Sequence, residues 1–203
     1  MSNADGIRQG IVKRATAETN VEASVKLDGT GIFDIATGNG TLDHLLAQLS
    51  RHGLFDINIQ AKGDIETGWH HLVEDVGITL GRAFREAVGD GEGIIRMGHS
   101  LVPLDESLAQ VVVDLSGRGY ASIETGIIAE KVEHLPSDLI RHSLEAFAVE
   151  GRMTLHVKLL TGINDHHKAE AIYKGLARAL RDAVQIEPRL KGAIPSTKGS
   201  INS

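Results

Sequence analysis

Two stretches of this 203-residue chain repeat one another at a fixed distance, and the repeat dictates a fold built from two similar halves. His70-His71-Leu72-Val73-Glu74 recurs as His166-His167-Lys168-Ala169-Glu170, with 166 − 70 = 96, 167 − 71 = 96 and 170 − 74 = 96. Behind the first copy runs an apolar stripe, Val76, Leu80, Phe84 and Val88. Ile172, Leu176, Leu180 and Val184 repeat it 96 positions on. A period of four predicts two amphipathic helices of equal length and phase. On a helical wheel His70 and Glu74 fall roughly 120° and 160° from the stripe, so ligand face and core face are separate.

Imidazole and carboxylate are ligands of first-row divalent metals, so a duplicated set points to a two-metal site. Positions i and i+4 share a helix face. His70 with Glu74, and His166 with Glu170, are therefore placed to chelate one ion each. His71 and His167 point about 100° away and are free to reach another ion. The ligands project outward from their own half and need a further surface to complete a site.

Upstream of each signature the sequence predicts a helix and then a strand. Leu42, Leu45, Leu46 and Leu49 give the first helix its inner face, and the alternation from Leu54 to Ile59 gives the strand. The second half offers a helix from Leu139 through Phe147 and a strand from Met153 to Val157. Here the offset is 98 (142 − 44 = 98), so a two-residue difference lies in the loop that follows. Earlier strands are expected at Ile7–Ala17, Val21–Leu27 and Gly31–Ile35, matched by Ile94–Met97, Leu108–Leu115 and Ala121–Ile128. Each half reads β-β-β-α-β-α: an α+β fold in tandem duplication, two-layered, with helices on one face of a sheet. The halves are set at residues 1–91 and 92–203, joined at Gly89-Asp90-Gly91-Glu92-Gly93. The repeat also makes His44 and His142 equivalent, which turns two helix-start histidines into a candidate ligand pair.

Composition excludes several classes. Net charge is −6 and aromatics are 3%, against generic nucleic-acid binding. There is no cysteine, so disulfides and thiolate chemistry are absent and His, Asp and Glu must hold any metal. No apolar run reaches bilayer-spanning length, and the N-terminal residues lack a signal-peptide core, so the expected compartment is the cytoplasm. The half-domain topology is shared with ribosomal and other nucleic-acid-associated domains, and fold alone does not choose a function.

Over nearly its whole length the chain resembles the imidazoleglycerol-phosphate dehydratases of histidine biosynthesis, in the stand-alone form. The blocks that carry the resemblance are Leu42 to Asp56, His70 to Asp75, Pro103 to Ala109, Asn164 to Arg181 and Pro195 to Gly199. The resemblance implies two Mn2+ per active site, one held by His44, His71, His166 and Glu170, the other by His70, Glu74, His142 and His167. It implies a phosphate subsite of Arg96, Arg118, Ser196, Thr197 and Lys198, in a C-terminal tail that otherwise reads as a flexible end, with Gln48 and His52 contributing. It assigns Glu18 to substrate binding and acid/base work, with Glu170 and His71 also catalytic.

The reaction implied is dehydration of D-erythro-imidazole-glycerol phosphate to imidazole-acetol phosphate, through a metal-bound imidazolate and a diazafulvene-like intermediate. The implied partners are this phosphorylated imidazole and further copies of the chain in a large homo-oligomer (a 24-mer by the resemblance), with no nucleic acid and no membrane. A di-metal hydrolase of a phosphorylated small molecule is the alternative the ligand set leaves open. Gly68-Trp69, where the family has two acids, Gly119 for a proline, Ile163 and Met97 depart from the family pattern. Gly119 is expected to loosen the phosphate loop.

Overall fold

The computed structural model describes residues 6–63 and 65–201. The first half runs β1 (Gln9–Ala15), β2 (Thr19–Lys26), β3 (Phe33–Ala36), α1 (Gly40–Gly53), β4 (Asp56–Gly63) and α2 (His70–Val88). The second runs β5 (Met97–Leu104), β6 (Ser107–Asp114), β7 (Tyr120–Glu124), a small hairpin β8 (Lys131–Val132) and β9 (Leu135–Pro136), α3 (Ser137–Glu150), β10 (Thr154–Thr161) and α4 (Asp165–Ala183). Two four-stranded sheets result, ordered β1-β2-β4-β3 and β5-β6-β10-β7.

The hairpins that open the two halves keep the same register. The β1–β2 hairpin pairs Gln9 with Lys26 and Ala15 with Asn20; the β5–β6 hairpin pairs Met97 with Asp114 and Pro103 with Leu108. Each partner is displaced by 88 (97 − 9 = 88, 114 − 26 = 88). Phe33 on Ile57 and Ala121 on Leu155 continue the match, with 121 − 33 = 88 and 155 − 57 = 98. The step from 88 to 98 is a ten-residue insertion (98 − 88 = 10), and the β8–β9 hairpin lies within it. That hairpin was not expected from the sequence.

One expected strand is misplaced. Ile94–Met97 is not a strand; Ile94 makes only an isolated bridge to Ile186, and the first strand of the second half begins at Met97. Pro103 hides this strand, since proline lacks the ladder donor. It is tolerated because β5 is at the sheet edge. The strand expected to Ile128 stops at Glu124, and the last strand of each half runs further than expected, to Gly63 and Thr161.

Inward residues alternate along the central strands: Val21, Ala23 and Val25 on β2, Ala109, Val111 and Val113 on β6, all buried. The α2 helix covers β1 and β2, and α4 covers β5 and β6. The helices then face each other across the halves, α2 against α3 and α1 against α4. All four meet around a void of about 20 Å³ lined by Leu42, Val76, Leu144, Tyr173 and neighbours. The two halves thus share one apolar core. This contact is close. A β-carbon on Gly77 would stand 2.7 Å from the Ser143 carbonyl oxygen.

Candidate metal centre

The ligand residues sit at or near helix N-termini. Asn39 caps α1, accepting from the amides of Thr41 and Leu42, and Asn164 caps α4, accepting from His166 and His167. Those caps set the first turns on which His44 and His166 stand. Trp69 begins α2 with no side-chain cap.

Among the described residues three groups of possible metal ligands converge; two are triads related by the repeat, and the third gathers Asp105, Glu106 and His167. In the first, Glu170 Oε2 lies 3.0 Å from His44 Nε2 and 3.2 Å from His166 Nε2, and the imidazoles stack at 5.5 Å. In the second, Glu74 Oε1 lies 3.3 Å from His142 Nε2, and His70 and His142 stack at 4.7 Å. The donor atoms of each triad lie within 4.8 Å of one another. The triads exchange under the repeat: 142 − 44 = 98, 166 − 70 = 96, 170 − 74 = 96. Two imidazoles and a carboxylate suit a divalent first-row cation. One further observation supports that fit: His142 Nε2 is shielded from solvent and, among the described residues, has no hydrogen-bond partner.

His71 and His167 are in neither triad. His71 Nδ1 lies 3.2 Å from Glu18 Oε2, and His167 Nδ1 lies 2.8 Å from Glu106 Oε2. Each triad therefore gathers three of the four ligands implied for it within one chain, and the fourth imidazole is engaged elsewhere.

Electrostatics around the first triad are cationic. Burial pushes the Glu170 carboxyl up, but Lys174, 2.6 Å away, and His44 outweigh it and hold the group at about 2. His52 is lowered by burial and then by the nearby Lys174. It lines an open groove of about 410 Å³ with His99, Lys174 and Arg178. Gln48 Nε2 reaches His44 Nε2 at 3.5 Å. At the half-buried His167–Glu106 pair, the hydrogen bond from His167 draws Glu106 far below the usual carboxylate range and raises the imidazole in turn.

The implied phosphate residues are partly gathered. Arg96 holds Asp114 through Nε at 2.7 Å and NH2 at 3.1 Å, and its NH1 donates to the Pro195 carbonyl at 2.9 Å. That bond brings the Ser196–Thr197–Lys198 tail to the arginine, and Lys198 N donates to Ser196 Oγ at 3.2 Å. Arg118 and Lys198 are exposed. The tail is not the free end that composition suggests, because Ile201 is buried against Gly91. Nor does Gly119 leave its segment loose: a β-carbon there would meet the Val149 carbonyl oxygen at 2.5 Å. Sequence reasoning missed Asp114, Lys174 and Glu106. Glu106 was within reach, since Glu18 + 88 = 106, but only the hairpin register reveals that offset.

The model of the family described as "Imidazoleglycerol-phosphate dehydratase" matches residues 37–180, which include both triads. The chain belongs to the imidazoleglycerol-phosphate dehydratase family. Among dehydratases of this name, that of Dehalococcoides mccartyi is 54% identical over 196 residues, covering 97% of this chain and 98% of the relative. The Roseiflexus dehydratase is 49% identical over 194 residues, covering 96% and 98%. The crystal structure of the dehydratase from Staphylococcus aureus superposes with a TM-score of 0.79 at 35% identity, over 88% of this chain and 99% of that one. A Pyrococcus furiosus structure of the same family gives 0.79 at 35%, over 93% and 99%. Dehydratase activity in histidine biosynthesis follows from membership. Among the described residues, no helix is long and apolar enough to cross a membrane.

Proposed function

We propose that this dehydratase is manganese-dependent and that its active site is completed between copies of the chain. The observation that carries the reading is the pair of symmetry-related His-His-Glu triads, each short of one imidazole, beside two imidazoles, His71 and His167, that belong to neither. His71 from one copy would complete His44, His166 and Glu170 of another, and His167 would complete His70, Glu74 and His142. Two Mn2+ ions held there would supply Lewis acidity toward the substrate's imidazole ring.

The chain's own groups do the rest. Arg96, Arg118, Ser196, Thr197 and Lys198, with Gln48 and His52, hold the phosphate and fix the glycerol chain, the arginines by their planar donor fork. Asp114 pre-orients Arg96 for this. Glu18, solvent-accessible beside His71, takes the proton from the carbon that keeps its oxygen and passes it to the departing hydroxyl beside the ring, which leaves as water; the enol that remains tautomerises to the ketone. Apolar residues on the uncovered sheet faces, among them Ile11, Met97 and Leu101, supply contact area for a large homo-oligomer. The cytoplasm is the compartment that fits this pathway step.

The test is a single preparation. Purified protein with Mn2+ is expected to dehydrate imidazole-glycerol phosphate and leave simple phosphoesters intact. Chelator is expected to stop the reaction and to shift the particle to smaller species on a sizing column. Full activity in chelator would end the metal reading, and an unchanged elution volume would end the assembly reading.

A further inference from the structure

The acidic residue paired with His167 takes no part in the triads or in the phosphate subsite, and the repeat gives it a meaning. Glu106 occupies in the second hairpin the place of Glu18 in the first (106 − 18 = 88), just as His167 repeats His71 (167 − 71 = 96). Both carboxylates meet the Nδ1 of their histidine, at 2.8 Å for Glu106 and 3.2 Å for Glu18. The copies have diverged in how they are held. Glu106 Oε1 accepts the backbone N–H groups of Asn164 at 2.8 Å and Ile163 at 3.2 Å, which ties it to the start of α4. Among the described residues no backbone amide donates to the Glu18 carboxylate, and its side chain is 56% exposed against 31% for Glu106.

We propose that Glu106 is a positioning residue, fixing the His167 ring with its proton on Nδ1 and its Nε2 presented to a metal. The proposal rests on the reading of His167 as a ligand. An ionised carboxylate can only accept, so the 2.8 Å contact requires Nδ1 to carry the hydrogen. In the neutral ring that a metal binds, Nε2 then keeps its lone pair, and the ring cannot turn without losing the bond. A carboxylate behind a ligating imidazole orients it and raises its basicity. Asp105, at 4.0 Å from the same nitrogen, is too far to share the task. Duplication thus produced two carboxylate–imidazole pairs. One is anchored and holds a ligand; the other is left free for proton transfer.

Glu106→Gln separates positioning from simple support. The amide can keep one oxygen on the Ile163 and Asn164 amides, so the loop and the thermal midpoint stay near those of the unsubstituted protein. Its NH2 then faces Nδ1 and favours the wrong tautomer. Mn2+ titrated into the metal-free full-length chain, followed by the paramagnetic resonance signal of free Mn2+, is expected to show one class of site weakened about 10–100-fold. Equal Mn2+ affinity in a folded Glu106→Gln protein overturns this proposal alone. No Mn2+ uptake by the unsubstituted protein overturns it together with the metal reading. Should the variant fail to fold, solid-state NMR of histidine-labelled, Zn2+-loaded protein decides, with His167 assigned by His167→Asn. A proton on Nδ1 supports the proposal, and one on Nε2 overturns it.

Discussion

A β-carbon on Gly10 would stand 2.0 Å from the carbonyl oxygen of Ala83, because β1 crosses α2 backbone to backbone. Gly98 stands in the same relation to Ala179, again at 2.0 Å. The glycines are 88 apart and the alanines 96, so each sheet is seated on its helix by the same device.

Gly10→Ala and Gly98→Ala are therefore expected to destabilise the protein in parallel. Neither backbone can yield without moving a strand off a helix, and overpacking of this kind costs about 1–3 kcal/mol or more. Denaturant midpoints of the two variants check it. Loss at only one position would mean the halves are not seated alike.

Gly77→Ala reverses the usual sign. Within an exposed helix the change gains about 1 kcal/mol from propensity. Here the methyl would meet the Ser143 carbonyl oxygen at 2.7 Å and the Ala146 β-carbon at 3.0 Å. Overpacking of about 1–3 kcal/mol outweighs that gain, so a net loss of up to about 2 kcal/mol is expected, read by urea melts. Gly89→Ala is no control, because its φ of 61° is itself strained for alanine.

Arg96→Lys is expected to raise KM more than it lowers kcat. Lysine keeps the charge but loses the two-pronged hold on Asp114 and the bond to the Pro195 carbonyl. Each charge-assisted bond contributes about 1.5–3 kcal/mol, so substrate affinity is expected to fall roughly 10- to 100-fold. Limited proteolysis supplies a second measure, through faster cleavage of the loosened tail.

Asp56 sets an acid limit on stability. Burial pushes its carboxyl up, but the amides of Thr30 at 2.8 Å and Ile32 at 3.0 Å, with Lys26, pull it down on balance. A folded pKa below the unfolded 3.8 means stability is fully present above that value and lost as pH falls through the lower one. Urea melts of the unsubstituted protein are expected to show this loss below about pH 4. Asp56→Asn, which never ionises, is expected to be weaker at pH 7 and flatter in acid.

Much of the fold was legible because its signals are periodic. The Val76 and Ile172 stripes name α2 and α4, and the alternation from Leu54 to Ile59 names β4. The β8–β9 hairpin carries no such signal, since strands of two residues have no period. It is fixed by tertiary bonds instead, with Asn39 Nδ2 donating to the His134 carbonyl at 3.2 Å. The β5 strand was hidden by Pro103. The triads follow from i, i+4 geometry plus repeat symmetry. The Asp114 support of Arg96 joins residues 18 apart with no motif to mark it, and Lys174 reads as an ordinary solvated charge.

The packing of α2 on α3 and of α1 on α4 has a consequence for ancestry. A single half, produced alone, would expose the helix face now covered by its twin, and a second copy would be its natural cover. Joining two such copies through the glycine-rich Gly89–Gly93 segment turns a concentration-dependent pairing into an intramolecular one. Once fused, the copies could drift apart. A duplicated glutamate could then be spent differently on each side while the shared interior stayed sealed.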